Sequence, residues 1–280
     1  MKPDVLVSFL DSINILALIV SRIFPTRLIV SERYDPQTYP RNWFIKVLRH
    51  LTYPWADKII VQSSSVAMFL GKRLETKIQI IGNPVAKPLT LASQDVPKDN
   101  IHLVSVGRLI PSKRMDMVIR AFKKVKDHYP ASQLTILGEG PERPLLEKIR
   151  EDLGLTNSVF LPGTSSNIGT DLIRGQIFLF ASESEGFPNA LCEAMAAGLV
   201  PIITDYGSSA RDIIQHGING FLVGKNDLEG LSNFAITLIE NKKLREKLSL
   251  EACKIAQTYS MEHIVGEWEK NILSLVGAKY

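Results

Sequence analysis

The sequence predicts an α/β protein built from two Rossmann-like, doubly wound domains, and three observations support this. Short apolar runs rich in Val and Ile alternate with helical patterns along most of the 280 residues. This alternation is typical of parallel sheets with crossover helices. It lapses between Asn83 and Asn100 into a proline-bearing stretch typical of a linker. The length also suits two modest cores.

The first half supplies a short sheet. Strands are predicted at Asp4–Leu10, Arg27–Ser31, Lys58–Gln62 and Lys77–Ile81, with helices near Ser12–Ile23, Arg41–Trp55 and Ser63–Leu74. A doubly wound domain usually has about six strands, so we expect residues 1–97 to form a partial domain.

The second half predicts a complete doubly wound domain over residues 98–260. Its strands are predicted near Ile101–Val106, Gln133–Leu137, Val159–Leu161, Ile177–Phe180, Val200–Ile203 and Gly220–Val223. The tail is helical, with segments at Leu244–Tyr259 and Met261–Leu275. Ligands of such sheets bind at the carboxyl ends of the strands, so the loops after the strands are where a site is expected.

The charge, the cysteine spacing and the apolar segments argue against several classes of protein. The net charge of +4 comes from 33 basic and 29 acidic residues, which gives no indication of a nucleic-acid partner. Cys192 and Cys253 have no C-x-x-C spacing, which predicts neither zinc nor a disulfide framework and suits a reducing cytoplasm. The apolar stretch Asn14–Phe24 is too short to span a bilayer, and the first residues do not resemble a signal peptide. Any membrane contact is expected to be peripheral.

Two loops carry glycines at strand ends. The first reads Gly107-Arg108-Leu109-Ile110-Pro111-Ser112-Lys113 and precedes a helix. A glycine, two cations and a helix N-terminus suit a diphosphate, although solvated surface charges explain Arg108 and Lys113 equally well. The second reads Gly138-Glu139-Gly140-Pro141, which suits close approach to a ligand or a plain tight turn. It lacks the full G-x-G-x-x-G pattern, so a nicotinamide dinucleotide is not supported.

A third loop follows the strand Ile177–Phe180 and is acidic. It runs from Ser182 through Glu185, Gly186, Phe187 and Pro188 to a helix that begins near Asn189 and contains Ala190 and Glu193. The helix N-terminus could bind a phosphate oxygen or a sugar hydroxyl, and Glu193 could accept bonds from the vicinal hydroxyls of a ribose. Alternatively, Glu185 caps the helix and Glu193 is a surface charge.

Together these motifs closely resemble glycosyltransferase family four. The resemblance rests on Gly107-Arg108 with Lys113, on Gly138-x-Gly140-Pro141 and on Glu185-x7-Glu193 followed by Ala194-Met195-Ala196-Ala197-Gly198. Gly82-Asn83-Pro84-Val85, Tyr206-Gly207 and Gly217-x-Asn219-Gly220 extend it over nearly the whole chain. The resemblance implies the GT-B fold, with residues 1–97 on the acceptor side, and a last helix, 261–280, that crosses back to the first domain.

The resemblance also implies a function. Members transfer sugar from a nucleotide-sugar with retention at the anomeric carbon and without a metal or other cofactor. Arg108 and Lys113 match the pair that holds the donor diphosphate, Glu193 the ribose ligand and Glu185 the glutamate near the donor sugar. The amides of Gly186–Ala190, together with Gly107 and Gly138, would complete the donor site. No D-x-D occurs in the sequence, so the two cations would supply the electrostatics.

The implied activity is that of a hexosyl- or N-acetylhexosaminyltransferase. Its donor would be a nucleotide-sugar, expected to be a UDP-sugar, and its acceptor a growing glycan or lipid-linked saccharide of bacterial polysaccharide or lipopolysaccharide synthesis. Family members usually open with a strand and a glycine-rich loop before the segment that starts here at Lys2, so we expect a first domain truncated at its N-terminus. The alternative is an inactive or split-enzyme subunit that binds the nucleotide-sugar.

The segment Arg41–Trp55 interleaves Lys46, Arg49 and His50 with aromatic and aliphatic residues. It could bind the anionic inner face of the cytoplasmic membrane, or its apolar stripe could be core. Arg33 and Asp35 follow a predicted strand and are candidate site residues of the first domain, although a loop salt bridge explains them equally well. The histidines show no ligand spacing and are interpreted as structural or surface residues.

Overall fold

The structure is a computed structural model that describes residues 3–34 and 42–276. Its strands are β1 (Val5–Phe9), β2 (Arg27–Ser31), β3 (Lys58–Val61), β4 (Ile78–Ile80), β5 (His102–Val106), β6 (Gln133–Leu137), β7 (Val159–Gly163), β8 (Ile177–Phe180), β9 (Val200–Thr204) and β10 (Phe221–Val223). Its helices are α1 (Asp11–Ser21), α2 (Trp43–Thr52), α3 (Ser64–Leu70), α4 (Met115–His128), α5 (Arg143–Asp152), α6 (Ile168–Leu172), α7 (Asn189–Ala196), α8 (Ser208–Arg211), α9 (Leu228–Glu240), α10 (Lys242–Cys253), α11 (Ile255–Thr258) and α12 (Met261–Leu273).

The chain divides into two compact units. The first contains the described residues up to Pro84, the short segment Ser184–Phe187 and the C-terminal part from Tyr259. The second contains Val85–Glu183 and Pro188–Thr258.

The first unit is built on a parallel sheet in the order β1-β2-β3-β4. Strand β2 is mostly buried and β4 mostly exposed, as expected for an inner strand and an edge strand. On one face the apolar sides of α1 and α3 pack against Leu28, Val30 and Ile59. A second cluster contains Ile29, Ile60 and Ile264 of α12 with Trp268 packed against them.

The second unit has a parallel sheet in the order β7-β6-β5-β8-β9-β10. Counted along the chain this order is 3-2-1-4-5-6, which is the order of a Rossmann fold. Every residue of β8 and β9 is buried, because helices cover both faces of these inner strands. The buried residues of α4 include Met115, Val118 and Phe122, which recur at helical spacing and face the core.

Local sequence explains several helix ends. Side chains of Ser63, Asp227, Asn241 and Ser260 accept hydrogen bonds from backbone N–H groups in the first turns of α3, α9, α10 and α12. The predicted helix Ser63–Leu74 ends earlier, at Leu70, because Gly71 takes a left-handed conformation with φ 85°. No side chain caps α7 or α4.

Candidate functional site

The topology of the second unit indicates where its ligand site lies. From β5 the chain adds β6 and β7 on one side of the sheet and then β8, β9 and β10 on the other, so the strand order reverses between β5 and β8. Ligands of such sheets bind at this switch point, outside the carboxyl ends of the strands. The loop Gly107–Lys113 follows β5, and the loop beginning at Ala181 follows β8. The backbone N–H of Glu183 donates to the carbonyl of Ser112 at 2.9 Å. The two loops that flank the switch point are therefore joined.

The glycine turn after β6 shapes the loop after β5. Gly138 has φ 145°, and a Cβ added there would lie 1.9 Å from the carbonyl oxygen of Gly107. The N–H of Leu109 donates to the carbonyl of Glu139 at 2.8 Å, which holds the two loops together. Gly138 thus allows the backbone of Gly107 to approach closely, so the group that it accommodates is part of the protein and not a ligand.

Two cations stand at the carboxyl end of β5. The side chain of Arg108 is exposed and forms no hydrogen bond or ion pair with any residue that the structure describes. The stem of Lys113 passes Gly107, with Cγ and Cδ 3.8 Å from the position of an added Cβ. Its ammonium lies 6.0 Å from the centroid of the buried Phe180 ring. Arg108 is thus open to an anion, whereas the stem of Lys113 is held by packing.

Helix α7 presents its N-terminus after the β8 loop. It begins at Asn189, with the buried Pro188 as the residue before it and the half-exposed Ala190 in its first turn. The N-terminal end of a helix carries a partial positive charge and backbone N–H groups that bind anions.

Glu193 lies one turn into α7 and is half-buried. Burial raises the pKa of its carboxyl because desolvation disfavours the charged form. No residue in the described part of the chain donates a hydrogen bond to this carboxylate or pairs with it. A partly desolvated carboxylate of this kind can accept bonds from the hydroxyl groups of a ligand.

The remaining candidates of the third loop belong to the first unit. Glu185 is half-buried, and Gly186 approaches the backbone of Arg33, since an added Cβ would lie 2.5 Å from its carbonyl oxygen. Phe187 is buried and packs edge-on against Tyr259, with ring centroids 5.2 Å apart. Glu185, Gly186 and Phe187 thus group with a different unit from Pro188, Asn189, Ala190 and Glu193.

Of the first-domain candidates, the structure describes Arg33, whereas Asp35 lies outside the described residues. The Arg33 guanidinium donates to Oδ1 of Asn83 at 2.8 Å and lies 4.9 Å from the ring of Phe9 and 5.6 Å from that of Trp268. Burial lowers its pKa. Among the described residues Arg33 has no carboxylate partner. The loop salt bridge considered in the sequence analysis involves Asp35 and lies outside the described residues.

The expected basic face of the segment Arg41–Trp55 needs a correction. Arg49 is buried, not exposed, and its Nη1 lies 3.7 Å from Oε2 of the buried Glu32. Lys46 is half-buried and His50 is exposed. Arg49 therefore lies in the interior of the first unit, where its positive charge stabilises the buried carboxylate of Glu32.

Sequence reasoning also missed Arg114, the residue after Lys113. It has a left-handed backbone, φ 50° and ψ 42°, and its guanidinium contacts the loops after two other strands. Nothing in the sequence signals this, since arginine rarely adopts that conformation.

The described residues contain neither a cluster of metal ligands nor a membrane-spanning helix. No group of three or more His, Cys, Asp or Glu side chains is placed to hold a metal ion in residues 3–34 and 42–276. Within those same ranges, no helix has the length and apolar character that crossing a membrane requires.

A six-stranded parallel sheet in Rossmann order, with helices on both faces, places the second unit among the doubly wound α/β proteins. A family model described as "Glycosyl transferases group 1" matches residues 87–254, which is more than half of the chain. The chain belongs to this glycosyltransferase family.

Curated relatives extend the match. The chain is 27% identical to an uncharacterized glycosyltransferase of Methanocaldococcus jannaschii, over 96% of this chain and 79% of the relative. It is 30% identical to an N-acetylgalactosamine-N,N'-diacetylbacillosaminyl-diphospho-undecaprenol 4-alpha-N-acetylgalactosaminyltransferase of Campylobacter jejuni, over 95% and 75% of the two chains. It is 29% identical over 66% of its length to the poly(glycerol-phosphate) alpha-glucosyltransferase of Bacillus subtilis, of which it spans 27%.

Solved structures support the fold. Anabaena HepE, crystallised with UDP, superposes with a TM-score of 0.86 at 20% identity, covering 97% of this chain and 79% of HepE. The fold class is therefore GT-B, with two Rossmann-like units, as the sequence predicts.

Proposed function

We propose that this protein is a retaining glycosyltransferase of family four that takes its sugar from a UDP-sugar. The observation that carries the proposal is the switch point of the second unit, where the Gly107–Lys113 loop stands beside the loop that leads to α7. This is the position at which Rossmann-like sheets bind nucleotides. The choice of UDP is supported by HepE, which was crystallised in complex with that nucleotide.

Arg108 and Lys113 would bind the donor diphosphate. Arg108 has no competing partner among the described residues, so binding an anion breaks no existing ion pair. During transfer, negative charge grows on the departing diphosphate, and these two cations would stabilise it in place of a metal. We therefore propose that the reaction needs no divalent cation.

Glu193 would accept hydrogen bonds from the two ribose hydroxyls, because its carboxylate is half-buried and without a donor in the described chain. The first amides of α7, at Asn189 and Ala190, would bind a phosphate or sugar oxygen. Glu185, Gly186 and Phe187 are assigned to the donor sugar by the family resemblance.

The acceptor is proposed to be a growing glycan or a lipid-linked saccharide, and the transferred group a hexose or N-acetylhexosamine. The name of the Campylobacter relative, whose acceptor is carried on undecaprenyl diphosphate, supports both choices. The location proposed for this reaction is the cytoplasmic side of the inner membrane.

Helix α2 would contact that membrane. Trp43 is 72% exposed and Phe44 52%, and Val47 and Leu51 beside them are also exposed. Lys46 and His50 lie on the same helix and would favour anionic lipid. The expected result is sedimentation with phosphatidylglycerol vesicles but not with phosphatidylcholine vesicles, lost in the double variant Trp43→Ser, Phe44→Ser. Phe160→Ser, which removes an exposed aromatic residue from β7, is the control.

Calorimetric titration with UDP tests the central proposal. Lys113→Ala should weaken UDP binding by about 1.5 to 3 kcal/mol, the worth of a hydrogen bond to a charged group. Lys123→Ala, which removes a half-buried lysine paired with Asp127 on α4, should leave the affinity unchanged. Equal UDP affinity in wild type and Lys113→Ala would contradict the proposal. UDP-sugar binding without transfer to any acceptor would instead favour the binding-subunit alternative.

A further inference from the structure

Arg114 combines an unfavourable backbone conformation with an unusual set of side-chain contacts. It lies between the 3₁₀ turn Pro111–Lys113 and the first residue of α4, with φ 50° and ψ 42°. A left-handed conformation is unfavourable for a residue with a Cβ, and glycine would adopt it without strain. We therefore expect the arginine side chain to make contacts that offset this unfavourable backbone conformation.

That side chain reaches the loops after two other strands. Nη1 of Arg114 donates to Oδ1 of Asn226 at 2.6 Å and lies 3.6 Å from Oε1 of Glu183. Nε donates to Oδ1 of Asp116 at 3.3 Å. Asn226, in the loop after β10, is itself left-handed, with φ 63°. One guanidinium thus joins the carboxyl-end loops of β5, β8 and β10.

The main chain strengthens this connection on both sides of Lys113. The carbonyl of Ser112 accepts the N–H of Glu183, and the N–H of Arg114 donates to the carbonyl of Pro111 at 3.1 Å. The N–H groups of Met117 and Val118 donate to the carbonyl of Arg114, which starts α4. Lys113 therefore lies between two anchored residues, and its direction depends on both.

We propose that Arg114 is a positioning residue that, through Asn226 and Glu183, holds the Lys113 ammonium where the β-phosphate of the donor binds. This inference rests on the proposed function, because it assigns Lys113 to the diphosphate. Two carboxylates and one amide already engage the Arg114 guanidinium, so its contribution to the ligand is made through Lys113 rather than by contact.

The measurement is the ratio of the UDP and UMP dissociation constants, because UMP lacks the β-phosphate that Lys113 would bind. Arg114→Gly keeps the left-handed backbone and removes the three contacts. Its UDP affinity should fall about fivefold with UMP affinity within about twofold, as expected when a charged group loses its fixed geometry. Thermal unfolding of this variant should occur close to the wild-type temperature, because relief of the backbone strain offsets the loss of three partly exposed contacts.

Two further variants separate geometry from charge. Asn226→Gly keeps the backbone conformation and the net charge but removes the hydrogen-bond acceptor, and should lower the UDP affinity without changing UMP. The effects of Arg114→Gly and Asn226→Gly should be smaller together than their sum, because both break one interaction. Arg120→Ala removes a cation from the exposed face of α4 and should leave the ratio unchanged.

The outcomes distinguish the two proposals. If Lys113→Ala changes the UDP to UMP ratio and Arg114→Gly does not, the positioning role is wrong and the diphosphate site stands. If Lys113→Ala leaves the ratio unchanged, the diphosphate site and the positioning role are both wrong. A fall in UDP and UMP affinity by the same factor in Arg114→Gly would show a structural role only.

Discussion

The hydroxyl of Tyr53 donates a 2.8 Å hydrogen bond to Oε2 of Glu32, and both side chains are buried in the first unit. Burial raises the pKa of the Glu32 carboxyl, whereas this bond and the nearby Arg49 oppose the increase. Tyr53 also accepts a hydrogen bond from Nδ2 of Asn14 at 3.2 Å. A single hydroxyl therefore satisfies two buried polar groups.

Tyr53→Phe should accordingly destabilise the protein by about 1 to 3 kcal/mol, the cost of leaving buried polar groups without a partner. Chemical denaturation measures this loss. Tyr129→Phe is the matched control, since the Tyr129 hydroxyl bonds Glu240, which is exposed and can be hydrated instead. The Tyr129→Phe variant should lose about 0.5 kcal/mol of its free energy of unfolding. Equal losses in the two variants would refute the importance of the buried network.

Gly138→Ala should disturb the loop that carries Arg108, because the added Cβ would meet the carbonyl oxygen of Gly107 at 1.9 Å. The conflict is with backbone, so it cannot be relieved by a side-chain rotation. We expect a loss of stability of about 2 kcal/mol or more, together with weaker UDP binding. The measurements are thermal unfolding and UDP titration.

Gly154→Ala is the control for this substitution. Gly154 has φ 68°, but no atom lies within 4 Å of its added Cβ. Backbone strain alone should cost about 1 kcal/mol and leave UDP binding intact. A Gly138→Ala variant that behaved like Gly154→Ala would show that the contact between the two loops is easily relaxed.

Glu193→Gln should separate binding from stability. The amide keeps the shape of the side chain but binds the ribose hydroxyls less well than a carboxylate, so UDP affinity should fall about tenfold. The folded protein raises the pKa of Glu193, so the stability that this group contributes is present below its ordinary pKa of 4.5 and is lost as the pH rises through the folded value.

At neutral pH the variant should therefore be at least as stable as wild type, and the difference should vanish at low pH, where Glu193 is protonated. Unfolding temperatures measured from pH 7 down to about pH 4 test this sign. A variant that is less stable at pH 7, with unchanged UDP affinity, would make Glu193 a structural residue.

Excess EDTA should leave both UDP affinity and sugar transfer unchanged, because Arg108 and Lys113 are proposed to neutralise the diphosphate. Transfer that stops with EDTA and returns with magnesium or manganese would show the metal-independent mechanism to be wrong. A double variant, Arg108→Ala with Lys113→Ala, should lose transfer whether or not magnesium is added.

Much of the fold was predictable because buried parallel strands are short apolar runs between polar turns. The predicted strands Arg27–Ser31, Gln133–Leu137 and Ile177–Phe180 have the bounds that the structure shows. Helix ends were less accurate. The helix predicted to reach Trp55 ends at Thr52, and a 3₁₀ turn with Pro54 in it follows, since proline cannot continue the hydrogen-bonding pattern.

The site was predictable only in part. Motif spacing placed Arg108, Lys113 and Glu193 after strands or at a helix start, and the structure has them there. The burial of individual side chains was not predictable. The sequence predicts Arg49 on a basic helix face, yet its side chain is buried next to Glu32. The spacing of apolar residues predicts the faces of a helix, but it does not show that a buried carboxylate just after a distant strand lies next to one of its arginines.

The sequence by itself determined the alternation of strands and helices and the strand-end loops, because these depend on the spacing of apolar residues and on the turn residues between them. Only the tertiary structure decided that the backbone of Gly107 leaves no room for a side chain at Gly138, and that the Arg114 side chain bonds Asn226. Those partners are brought together by the strand order of the sheet. Strand order follows from packing over the whole unit, which no local pattern contains.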